Sequence, residues 1–142
     1  GFTLKFKNYI GKRWLRNGGL YPDRHTRLFD RKAGRYGDRQ VHEQLELNGK
    51  IIDLDVDIIH LTYASWTEYL RKVRQYSLHQ AAEDSRLGKS IYESPHKAAA
   101  REFIVRYVQL KGYMDYLGGF GSAVLLAYYQ YLYQREQERL RK

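Results

Sequence analysis

The chain is 142 residues long, 43% hydrophobic and 15% aromatic, which suits one cored domain and excludes a disordered charged tail. It holds no cysteine, so a disulfide framework, a thiolate zinc centre and a cysteine nucleophile are excluded. The net charge is +9, and +8 of it falls in residues 1–39, where eleven Lys/Arg face only Asp23, Asp30 and Asp38; that imbalance implies an anionic partner such as a nucleotide diphosphate, a phospholipid surface or a nucleic acid.

Phe2, Leu4 and Phe6 alternate with Thr3, Lys5 and Lys7, which predicts a strand with one buried face, ended by Gly11. Residues 12–16 read as one helical turn before Asn17-Gly18-Gly19, and Tyr21-Pro22-Asp23 reads as a second turn. A short strand is expected over Thr26–Phe29 and a loop over Arg31–Asp38. Val41–Leu47 is a short segment of either type, closed by Asn48-Gly49.

Ile51–His60 is the clearest strand: Asp53, Asp55 and Asp57 share one face, and Ile52, Leu54, Val56 and Ile58 the other. From Ser65 the period turns helical through Trp66, Tyr69, Leu70, Val73 and Tyr76, with Ser65 or Thr67 as cap and Gly88 as stop. Ser94-Pro95 opens a second helix that runs to about Lys111. A third begins near Met114 or Gly121 and ends in a charged tail.

Three groups of residues carry candidate chemistry. Asp53-Leu54-Asp55-Val56-Asp57 holds Asp-x-Asp twice, a pattern that can hold a metal, but the favoured reading is the solvated acidic face of an edge strand. His42-Glu43 pairs an imidazole with a candidate general base, and on the residues alone an ordinary surface pair is favoured. His60 closes the acidic strand as a metal ligand or a core histidine, the core being favoured on the residue alone.

In order, the chain reads Gly18-Gly19-Leu20-Tyr21-Pro22-Asp23, then Arg27-Leu28-Phe29, then Val41-His42-Glu43, then Ile59-His60-Leu61-Thr62-Tyr63. That succession resembles the second half of family 2 glycosyltransferases, in the bacterial branch similar to lipopolysaccharide-core glucosyltransferases. Leu20 stands where a tryptophan is commoner. The likeness runs over residues 1–80 and, more loosely, to about Tyr133. Asp53-Leu54-Asp55 falls too late in the order to be the family's Asp-x-Asp.

The resemblance implies an α/β fold (an α+β fragment): the C-terminal portion of a GT-A-like sheet over residues 1–62, then about three helices over 63–142. It implies an inverting transfer of a sugar from a nucleotide-sugar to a saccharide or lipid-linked acceptor in lipopolysaccharide or other envelope biosynthesis. Glu43 would be the base, and His42 would orient it or touch the acceptor. Tyr21, Asp23, Arg24 and Arg27 would meet acceptor or phosphate. His60 would complete the shell of a divalent metal, Mg or Mn, held mainly by a preceding nucleotide-binding half. The chain opens at Gly1 without a leader pattern, so the expectation is a fragment without a signal peptide.

Residues 116–134 carry no formal charge, yet their five tyrosines, three glycines and two glutamines suit a bilayer interior poorly. With Arg101, Arg106 and Lys111 beside the apolar residues of helix 95–111, an interfacial helix on an anionic membrane is the favoured expectation, ahead of soluble packing and of a true span. The location expected is cytoplasmic, peripheral at the inner face of the bacterial cytoplasmic membrane. Two alternatives compete with the enzyme. One is a helical interaction or assembly domain, for which a homo-oligomer is an expected partner state. The other is a basic nucleic-acid-binding module built on Phe6, Tyr9, Trp14 and Tyr36; it lacks a known signature, and no nucleic-acid partner is expected.

Overall fold

The computed structural model describes residues 1–36, 45–89 and 92–141. The chain has a mixed α/β architecture, a small sheet followed by three helices. Strand β1 (Phe2–Ile10) is central. It pairs with β6 (Ile52–Tyr63) in parallel along one edge, and on the other with β3 (Asp23–Leu28) and then β2 (Arg13–Trp14), both antiparallel. Strands β4 (Gly34–Tyr36) and β5 (Leu45–Leu47) form a separate ribbon.

Several expectations are corrected. Residues 12–16 do not form a helical turn. Gly11 takes φ +57, Ile10 pairs with Arg13, and Leu15 N–H reaches the Asn8 carbonyl at 3.1 Å, so the segment folds back as a tight hairpin. The strand expected over Thr26–Phe29 begins earlier, at Asp23, where β1 offers its edge. The loop expected over 31–38 contains β4. Strand β1 does not have one simply buried face: Phe2, Leu4, Phe6, Lys5 and Lys7 are all half-buried, and Thr3, Asn8 and Ile10 are buried. The reason is placement. The helices pack against the far end of the strand, not across it.

That junction holds the core. Ile10 and Leu15 meet Tyr69 and Val73, with Leu20, Tyr63, Leu125, Tyr128 and Tyr129 around them. Tyr63 stacks on Tyr69 with ring centroids 4.2 Å apart, and burial pushes both phenols up.

Helix α1 (Trp66–Arg86) starts at a reciprocal cap: Ser65 Oγ accepts from Glu68 N–H at 3.1 Å, and Glu68 accepts from Ala64 N–H at 2.7 Å. Helix α2 (Pro95–Phe103) begins at Pro95 as expected, although the Ser94 side chain makes no capping bond; it continues as a π-helical stretch over Ile104–Gln109. After a 3-10 turn at Gly112–Asp115 comes α3 (Tyr116–Leu140).

Helix α3 packs against both α1 and α2. Its buried positions are Gly118, Gly119, Ser122, Ala123, Ala127, Gln134 and Gln137, and the small ones let the neighbours approach closely. Along the α1 seam Gln137 donates to the Ala81 carbonyl, Tyr133 to Asp84, and Tyr129 to Gln80. Among the described residues no helix is long and apolar enough to cross a membrane. The arginines expected to face a lipid surface are engaged within the fold: Arg101 with Glu93, and Arg106 with Glu102 and the Gly18 carbonyl.

Candidate functional site

Alternation along β1, β3 and β6 sorts the polar residues of the sheet onto two faces. On one face stand Lys5 and Lys7 of β1 with Asp53, Asp55 and Asp57 of β6. Lys5 bonds Asp55 and lies 3.7 Å from Asp57; Lys7 lies 2.8 Å from Asp57. Those bonds hold the Asp55 and Asp57 carboxyls below their ordinary value and raise both lysines. Tyr21 donates to Asp57 at 2.9 Å, and Arg24 lies 3.7 Å from Asp53. The acidic run lies exposed on an edge strand, as expected, and two of its carboxylates also pair with the basic strand beside it.

The opposite face holds a polar network around Asn8, which is buried in the middle of β1. Its Nδ2 donates to Asp23 Oδ2 at 2.9 Å and to the Leu20 carbonyl at 3.1 Å. Both partners are pure acceptors there, which fixes the amide so that Oδ1 points the other way. That oxygen accepts from Thr62 Oγ1 at 2.9 Å and lies 2.8 Å from His60 Nδ1. Since Oδ1 only accepts, His60 carries a proton on Nδ1, which in the neutral ring leaves Nε2 as the acceptor nitrogen. His25 Nε2 lies 2.9 Å from Asp23 Oδ1. Phe6 lies between the two imidazoles, edge-on to each at 5.3 Å.

Of the residues singled out in the sequence, Asp23 and His60 come together through Asn8. Arg27 falls at the irregularity where the β1–β3 register shifts, between Thr26 and Leu28. Tyr21 and Arg24 are turned to the lysine–aspartate face. His42 and Glu43 lie outside the described residues. Sequence reasoning missed Asn8, His25 and Thr62. The signal was present in Asn8, a residue type depleted from strands that sits inside one.

Chemically, the network offers two exposed imidazoles and a carboxylate beside an aromatic ring. Among the described residues no group of three or more His, Asp or Glu side chains is placed to hold a metal ion. No protein-family model matches the chain, and no solved structure matches it.

Proposed function

We propose that the chain is the acceptor-side half of a GT-A-type, family 2 inverting glycosyltransferase, which moves a sugar from a nucleotide-sugar to a saccharide or lipid-linked acceptor of the bacterial envelope. The observation that supports this reading is the Asn8 network. It joins Asp23 of the Gly-Gly-Leu-Tyr-Pro-Asp turn to His60 of the Ile-His-Leu-Thr-Tyr strand end, residues far apart in sequence whose motifs carry the resemblance.

In this reading Glu43 takes the proton from the acceptor hydroxyl as that oxygen attacks the anomeric carbon, and His42 orients it. Asp23 and Arg27 hold the acceptor, with Phe6 beneath the sugar ring. Asn8 keeps His60 in one tautomer, as a partner on the second nitrogen of a ligating histidine does. A divalent ion, Mg or Mn, would neutralise the leaving diphosphate, held mainly by a preceding nucleotide-binding half with His60 as this chain's contribution.

The test is Glu43→Gln in the protein that carries this chain together with that half, assayed for transfer from labelled nucleotide-sugars. Turnover is expected to fall at least about 10²-fold while donor affinity is kept. A glutamine variant with normal turnover removes Glu43 from the mechanism.

A further inference from the structure

We infer that the turn between α2 and α3 is a docking site for an anionic lipid surface. The inference does not rest on sugar transfer; it comes from four features that meet at one end of the helical layer.

The first is an apolar tip. Tyr116 and Leu117 are 81% and 80% exposed, and Tyr113, Met114 and Phe120 are exposed beside them. Phe120 and Tyr113 both reach Tyr107, with ring centroids 5.7 and 6.3 Å away, so the patch is continuous. Trp66, also exposed, lies against Gly121 one turn along α3. Tyrosine and tryptophan around leucine, methionine and phenylalanine is the composition that settles at headgroup depth.

The second is the charge around it. Lys12 and Arg13 sit on the hairpin loop that abuts the first turn of α3, where Arg13 packs against Gly118. Arg16 and Lys111 stand exposed at the two sides of the turn. The carboxylates of the same segment are engaged inside the protein: Asp115 accepts from Arg16 N–H, Asn17 N–H and the Asn17 amide, and Glu102 pairs with Arg106. An apolar tip with a cationic rim, on which Asp115 and Glu102 are both engaged, complements a phospholipid surface of negative charge.

The third is rigidity. Asp115 ties the turn to the 16–17 backbone at 2.8 and 2.7 Å, so the tip is held out on a fixed base. The fourth is strain. Lys111 and Tyr116 bracket the turn at φ 56 and φ 52, a backbone region that side-chain-bearing residues rarely adopt. At Tyr116 this conformation goes with a side chain left in water, which packing within the fold does not require.

The experiment is co-sedimentation of the chain with vesicles of phosphatidylglycerol mixed into phosphatidylcholine, and with phosphatidylcholine alone, while tryptophan emission is followed. Binding to the anionic vesicles only is expected, with a blue shift that Trp66→Phe removes, and with weakening as salt rises from about 0.05 to 0.5 M. Lys12→Gln, Arg13→Gln and Lys111→Gln together should lower the affinity about a hundredfold. Tyr116→Ser with Leu117→Ser should lower it at least about tenfold. The thermal midpoint of that pair should be unchanged, since both side chains already face water. Absence of binding to anionic vesicles at low salt overturns the inference, as does equal binding to phosphatidylcholine alone. So does a dimer in solution that Tyr116→Ser and Leu117→Ser dissolve, because a second copy would then be the occupant of the patch.

Discussion

Asn8 is a single amide with all four of its hydrogen-bonding partners inside the protein: Asp23, the Leu20 carbonyl, Thr62 and His60. A leucine there would leave buried polar groups without partners, at a cost of about 1–3 kcal/mol, which urea unfolding would show. Asn8→Asp is the sharper probe. It keeps the acceptor for Thr62 and His60 but sets a carboxylate against Asp23, where 2.9 Å now separates donor from acceptor. Two carboxylates so close share one proton. The aspartate variant should therefore be weakest, relative to the parent, at neutral pH and recover as the pH falls toward the carboxylate range. An aspartate variant whose deficit does not change with pH would place the two groups apart.

Among the elements, β1 and β6 are matched by charge as well as by backbone. Asp55 and Asp57 have lower pKa values in the fold than their ordinary 3.8, through the bonds from Lys5 and Lys7. Their contribution is present above 3.8 and is lost as the pH falls through the lower folded values. The lysines mirror this. Raised above 10.5, they contribute below that value, and the contribution is lost as the pH rises through the folded ones. Asp55→Asn with Asp57→Asn should flatten the acid limb of a plot of thermal midpoint against pH below 3.8. The effect will be small, since these side chains face solvent.

The elements also differ in how far the sequence announces them. The Ser65 cap, the stop at Gly88, the helix start at Pro95 and the strand read over Ile51–His60 are local signals; the first three are found where they were read, and the strand runs on to Tyr63. The hairpin at Arg13–Trp14 was not legible, because its two residues become a strand only when β1 supplies the edge. The sites divide the same way. Asp23 and His60 carry motifs, but their union depends on a register between strands fifty residues apart, which no local spacing encodes. The uncharged 116–134 stretch reads alike for lipid and for packing: α1 and α2 cover part of it, while Tyr116, Leu117 and Phe120 stay exposed.

At the scale of the molecule, the sheet and the helical layer are joined chiefly through the segment from Gly11 to Leu20. Leu15 enters the core, Gly18 N–H meets the Leu110 carbonyl at 2.8 Å, and Asp115 binds the backbone at 16 and 17. Asp115→Ala removes three bonds to one charged acceptor and should cost about 3 kcal/mol. Amide exchange should then quicken in 11–20 and at the start of α3 while the centres of α1 and β1 stay protected. Uniform quickening across the chain would mean that the two layers unfold as one unit regardless of this tie.

The parallel pairing of β1 with β6 sets a timetable for synthesis. Helices α1, α2 and α3 close over neighbouring sequence, and β2 returns on β1 within a few residues. Strand β1, however, gains its second long edge only when Tyr63 has left the ribosome, about fifty residues after its own last residue. Until then a segment rich in aromatic and basic residues presents an open strand edge.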